Sequence, residues 1–156
     1  MDYISRLKAK NEPGWPRYVS ILGSTGSIGT NALEVIRRHK KDFCIQALAG
    51  ALNTELLAEQ AAEFRPPFLG VLNSELASDL NSRLPGDYKP TILAGAEGYA
   101  ELAGLDQAEM VLCAQVGASG LLPAYTAVSR GKTVLLANKE ALVLAGKLLR
   151  TEARKS

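Results

Sequence analysis

Seven residues after a short apolar run, Gly23-Ser24-Thr25-Gly26-Ser27-Ile28-Gly29, have the types and spacing to hold a phosphate. A tight turn there needs a residue that tolerates unusual dihedrals, which glycine does. An anion can approach a backbone that carries no Cβ, and the unpaired N–H groups at a helix N-terminus then meet it. Thr25 and Ser27 add hydroxyl donors. The spacing is G-x-x-G-x-x-G in place of the commoner G-x-G-x-x-G. Such a triplet between a predicted strand and a predicted helix is the context of a dinucleotide site. The plain alternative is a glycine-rich turn without a ligand.

Two further stretches fall where such a site would place them. Ala49-Gly50-Ala51-Leu52-Asn53 ends the second predicted strand. An acidic residue there suits the 2′-hydroxyl of NAD and a basic one the 2′-phosphate of NADP; this chain has neither. Asn53 can donate to a phosphate or cap the next helix. Asn138-Lys139-Glu140 follows the sixth strand and sets a neutral donor, a cation and a carboxylate at the same sheet edge. The trio could position a nicotinamide and a polar substrate, or could be a helix start with Asn138 as N-cap. The loop 114–120, with Gly117 and Gly120, could admit the other half of a dinucleotide or be a tight turn.

The elements that must position these residues alternate. Strands are expected at Tyr18 to Leu22, Phe43 to Ala49, Phe68 to Leu72, Thr91 to Ala94, Glu109 to Ala114 and Thr133 to Ala137. Between them, Ile28, Ala32, Val35 and Ile36 mark a first helix ending near His39. Asn53 or Thr54 caps a second that Pro66-Pro67 stops, and Ser74 caps a third over Glu75 to Leu84. Glu97 to Leu105 is a weak helix, Leu121, Tyr125 and Val128 mark another ending at Gly131, and Leu142, Ala145 and Leu149 give the last its apolar stripe. The strands are apolar throughout, as when both sheet faces are covered. The fold class is therefore α/β, a doubly wound, Rossmann-like parallel sheet in one domain over residues 18–156. Residues 1–17, with Pro13, Gly14 and Pro16 around Trp15, read as an N-terminal extension.

Composition narrows the setting. At 156 residues, 47% hydrophobic and 22% charged, the chain suits one globular domain. Its net charge of +2 does not single out a polyanionic partner. The one basic cluster, Arg37-Arg38-His39-Lys40-Lys41, sits at a helix C-terminus, where cations complement the dipole, and lacks interleaved aromatics; no nucleic-acid partner is expected. No apolar run is long enough to span a membrane, and none is expected to bind one. Cys44 and Cys113 read as free thiols in a reducing, cytoplasmic setting.

In order, GSTGSIG at 23–29, AGALN at 49–53, VGASGLLP at 116–123 and LLANKEALV at 135–143 resemble the N-terminal domain of the 1-deoxy-D-xylulose 5-phosphate reductoisomerase family, from Tyr18 to Leu149. The resemblance implies an enzyme of the non-mevalonate isoprenoid pathway. It rearranges 1-deoxy-D-xylulose 5-phosphate and reduces the product with NADPH to 2-C-methyl-D-erythritol 4-phosphate, with Mg or Mn holding the substrate oxygens. It further implies that Thr25, Gly26, Ser27 and Ile28 line the cofactor phosphates, that Gly50, Ala51, Leu52 and Asn53 line the adenosine ribose, that Asn138 and Glu140 contact the cofactor, and that Lys139 contacts the substrate. The family is homodimeric. Two departures stand out. The family usually carries Arg or Lys where this chain has Leu52. A metal-binding motif of the form PVDSEHNA follows in the family and is absent from this chain, so the catalytic and C-terminal domains, the metal ligands and the catalytic residues are expected to lie elsewhere. The chain is expected to hold NADPH and to be inactive by itself.

Other readings have specific requirements. Short-chain dehydrogenases need a Tyr-x-x-x-Lys pair, and none of the five tyrosines has a lysine four residues on. Semialdehyde dehydrogenases need a reactive cysteine near a strand end, where Cys113 has no base nearby in sequence. A non-catalytic nucleotide-binding or structural module is the alternative outside the enzymes.

Overall fold

The computed structural model describes residues 16–155, so most of the expected N-terminal extension lies outside the described residues. The element order is β1 (Arg17–Leu22), α1 (Ser27–Arg38), β2 (Phe43–Ala49), α2 (Thr54–Phe64), β3 (Phe68–Val71), α3 (Ser74–Arg83), β4 (Thr91–Ala94), α4 (Gly95–Ala103), β5 (Met110–Cys113), a 3-10 turn (Gly117–Gly120), α5 (Leu121–Ser129), β6 (Thr133–Leu136) and α6 (Lys139–Ala153). The sheet order is β4-β3-β2-β1-β5-β6, and every pairing is parallel. The chain steps outward from β1 to β4 and then returns to lay β5 against the other side of β1. That reversal is a topological switch point, and crevices in open α/β sheets form there, beyond the carboxyl ends of the strands.

Two apolar layers cover the sheet. Ile21, Leu48 and Leu69 pack with Leu33 of α1, Leu57 and Ala61 of α2 and Leu80 of α3. On the other face Leu22, Val111 and Cys113 pack with Leu102 of α4, Ala124 of α5 and Leu149 of α6. Pairing between β1 and β2 runs Val19 to Ile45 and then Ser20 to Ala47, so Gln46 is the extra residue of a bulge. The bulge shifts the in–out alternation of β2, which is why Ala47 and Ala49 face one layer and Ile45 and Leu48 the other.

Local chemistry moves several expected boundaries. Arg17 belongs to β1: its N–H donates to Asp42 O (2.9 Å), and its buried guanidinium donates from Nε to Glu109 Oε2 (2.8 Å). Asn73, one residue before the expected Ser74, caps α3 by accepting from the Leu76 N–H (2.9 Å). Helix α4 starts at Gly95, two residues early.

Two helical faces also differ from expectation. In α1 the buried row is Gly29, Leu33 and Ile36, while Ile28 and Val35 are exposed. Rows 28-32-35 and 29-33-36 have the same helical spacing; Gly29, pressed against the preceding turn, selects the second. In α6, Ala141 and Leu149 are buried and Leu142 is exposed. The N-terminal cap sets the phase at Ala141, and a non-helical Ala145 (φ −142°, ψ 23°) breaks the stripe expected from Leu142 to Leu149. The basic cluster is partly engaged within the molecule, since Arg37 and Arg38 pair with Glu34 and Arg37 also with Glu63. No helix among the described residues is long and apolar enough to cross a membrane.

Candidate dinucleotide site

The glycine loop leaves β1 at the switch point and is anchored at its start. Gly23 has φ +94°, in the region that favours glycine, and a Cβ there would lie 2.6 Å from Ala114 O. The N–H groups of Gly23 and Ser24 both donate to Ala49 O at 2.8 Å, fixing the turn to the end of β2. At Gly29 a Cβ would lie 2.2 Å from Gly23 O, so the third glycine allows the helix to pack against the turn. Gly26 differs from both. Its dihedrals (φ −83°, ψ 171°) suit any residue, and the nearest protein atom to a Cβ would be Gly23 O at 3.5 Å. Packing thus accounts for the first and third glycines and not for the second.

Helix α1, like α4 and α5, starts without a side-chain cap, whereas Asn53, Asn73 and Asn138 cap α2, α3 and α6. The N–H groups of Thr25, Ser27 and Ile28 have no backbone partner. Unpaired donors at a helix start, with the dipole behind them, suit an anion. Of these three residues, Thr25 lines a cleft of about 190 Å³, together with Gly26, Gly50, Ala51, Leu72, Tyr99 and the 114–116 segment. Ligand pockets commonly hold roughly 300–1,000 Å³, so this cleft fits the part of a ligand nearest the loop, with the remainder along the open sheet edge.

Four expected site residues, Thr25, Gly26, Gly50 and Ala51, meet in this cleft. Thr25 lies over Gly50, where a Cβ would come within 3.0 Å of its Cγ2. Ser27 and Ile28 sit exposed on the first turn of α1. Leu52 is 68% exposed, and Asn53 Oδ1 accepts from the Leu56 N–H at 3.0 Å, so its side chain does cap a helix.

Asn138 is 2% exposed and acts as a strap. Its Nδ2 donates to Gln115 O (2.6 Å) and Gly117 O (2.9 Å), and its Oδ1 accepts from the Ala141 N–H (3.0 Å). Both amide hydrogens are therefore spent within the protein, tying the β5–α5 loop to the start of α6. Lys139 is exposed and Glu140 half-buried beside it, on the first turn of α6.

Sequence reasoning missed Leu72 and Tyr99 as lining residues. Tyr99 donates its hydroxyl to Gly50 O at 2.7 Å, and burial pushes its pKa up to about 12, so it acts as a neutral donor. It reaches β2 from α4, 49 residues away, and nothing in its local sequence marks that contact. Burial likewise pushes the Cys113 thiol up to about 12, which keeps it protonated and makes it a poor nucleophile. Among the described residues no three His, Cys, Asp or Glu side chains are grouped to hold a metal ion.

The all-parallel sheet, the cleft at its switch point and the uncapped glycine loop define a Rossmann-like α/β domain. A family model described as 1-deoxy-D-xylulose 5-phosphate reductoisomerase matches residues 19–146. The chain belongs to that family. It is 56% identical over 149 residues to the 1-deoxy-D-xylulose 5-phosphate reductoisomerase of Oleidesulfovibrio alaskensis, covering 95% of this chain and 37% of that protein. To the Lawsonia intracellularis protein of the same name it is 50% identical, with the same coverage of 95% and 37%. Among solved structures, the Zymomonas mobilis enzyme in complex with NADPH superposes with a TM-score of 0.85 at 36% identity, over 90% of this chain and 36% of that one. A DOX-P reductoisomerase in complex with NADPH, fosmidomycin and magnesium gives 0.83 at 37% identity, over 89% and 34%. The chain thus spans 37% of the length of the curated relatives it matches.

Proposed function

We propose that this chain is the NADPH-holding part of a 1-deoxy-D-xylulose 5-phosphate reductoisomerase. The observation that carries the reading is Gly26: the fold has room for a side chain there, so the missing Cβ is explained by a ligand that closes on the loop. In this reading the pyrophosphate rests on the N–H groups of Thr25, Ser27 and Ile28, with the Thr25 and Ser27 hydroxyls in support. Gly50, Ala51, Leu52 and Asn53 border the adenosine ribose. Asn138 acts by fixing the 115–117 loop, and a direct contact from it would use the second lone pair of Oδ1 or its backbone. Glu140 contacts the cofactor, and Lys139 offers a cation to the substrate phosphate.

Bound NADPH supplies a hydride to the rearranged substrate. The chain's own part is to fix the cofactor at the sheet edge. On the family resemblance, the metal-dependent steps are assigned to the part of the protein that the relatives have beyond this chain's match. Homodimeric assembly is proposed on the family resemblance. A cytoplasmic setting is supported by two free cysteines, one of them buried. Mixing the chain with NADPH, Mn and 1-deoxy-D-xylulose 5-phosphate is expected to give saturable NADPH binding and no loss of absorbance at the reduced nicotinamide band. Turnover would refute the division of labour, and absence of binding would refute the cofactor role.

A further inference from the structure

We infer that Gln60, on α2 and outside the cleft, is a positioning residue that sets the direction of the glycine loop's phosphate-facing N–H. This rests on the proposed dinucleotide role of the loop. Gln60 is 6% exposed, and its Nε2 donates to Ser24 O at 2.9 Å across 36 residues of sequence. The other buried residues of α2 are Leu57, Ala58 and Ala61, which packing alone would select, and Thr54 on the first turn, whose hydroxyl donates to Asp79.

An amide is a poor choice for stability in that row. Its Oε1 is buried without a partner. Leaving a buried acceptor unpaired costs at least as much as one neutral hydrogen bond returns, so an apolar side chain of the same length would hold the core as well. The amide must therefore be explained by what its donor does.

That donor controls a peptide plane. The Ser24 carbonyl and the Thr25 N–H belong to one planar trans peptide, so they point in opposite directions. Holding the carbonyl toward α2 aims the Thr25 N–H away from it, and Thr25 lines the cleft. The preceding peptide is already fixed, because the Gly23 and Ser24 N–H groups donate to Ala49 O. The Ser24–Thr25 peptide has no such anchor: no backbone N–H donates to Ser24 O, and the buried Ser24 hydroxyl has no partner. Gln60 is thus the side chain that prevents this one peptide from turning its N–H out of the site.

The test is Gln60→Met, which keeps length and packing and removes the donor, with Gln60→Glu as a second variant. NADPH and adenosine 2′-phosphate, which lacks the pyrophosphate, are titrated into each by fluorescence and by ligand-observed NMR, well below the melting temperature. NADPH affinity is expected to fall by about tenfold, the worth of one misdirected hydrogen bond, with adenosine 2′-phosphate affinity and melting temperature nearly unchanged. Equal NADPH affinity in the variants and the unaltered chain would overturn the inference alone. So would equal losses for both ligands alongside a lower melting temperature, the signature of a purely structural residue. Failure of the unaltered chain to bind NADPH would overturn the cofactor reading and this inference with it.

Discussion

Gly26 and Gly29 differ in what a methyl group would meet, and that difference separates folding from binding. Gly29→Ala forces a Cβ against Gly23 O and Ser24, and should destabilise the fold by about 1–3 kcal/mol, as overpacking does. Gly26→Ala has room and ordinary dihedrals. It should change stability by less than about 1 kcal/mol while weakening NADPH, and paired thermal melts and titrations would check both. On the family resemblance a cation is expected where Leu52 stands, and the exposure of Leu52 leaves space for one. Leu52→Arg should tighten NADPH by about 1–3 kcal/mol, the worth of a charge-assisted bond to the 2′-phosphate, and leave NADH nearly unchanged. Equal effects on both cofactors in parallel titrations would place the 2′-phosphate elsewhere. In Asn53 and Asn138 the amide oxygen caps a helix, and the Asn138 amide nitrogen also fixes a loop.

At the level of elements, strand sites were legible in the sequence because buried parallel strands are apolar runs ended by turn residues. All six appear within two residues of their expected bounds. The glycine loop was legible because its constraints are local. Helix faces were less so. The rows available to α1 are equally periodic, and the choice depends on Gly29 meeting the turn, a tertiary contact. The kink at Ala145 lies beside Gly146, which weakens a helix interior, but the spacing of the apolar residues does not show where the stripe breaks. The supports of the site were hidden for the same reason. Gln60 and Tyr99 reach the loop and the end of β2 from 36 and 49 residues away, through hydrogen bonds that no spacing rule encodes.

For the whole molecule, buried protonated groups set an alkaline limit. Burial raises Tyr88, Tyr99 and Cys113 to about 12 each, against ordinary values of 10.0, 10.0 and 9.0. With the folded value above the unfolded one, the unfolded chain gives up these protons first. Their contribution is then complete below about pH 9 and lost as pH rises toward 12. Denaturant melts should show falling stability across that window, and a flat profile would mean that the three groups open to water. The same sheet that buries them holds the carboxyl ends of β1, β2 and β5 in the register that forms the cleft. Whether that cleft is a cofactor site is decided most directly by calorimetric titration of NADPH into this chain and into Gly26→Ala. A cofactor role for the cleft predicts saturable one-to-one binding by the unaltered chain and at least tenfold weaker binding by the equally folded variant. No binding by the folded chain, or equal affinity in the two, would contradict it.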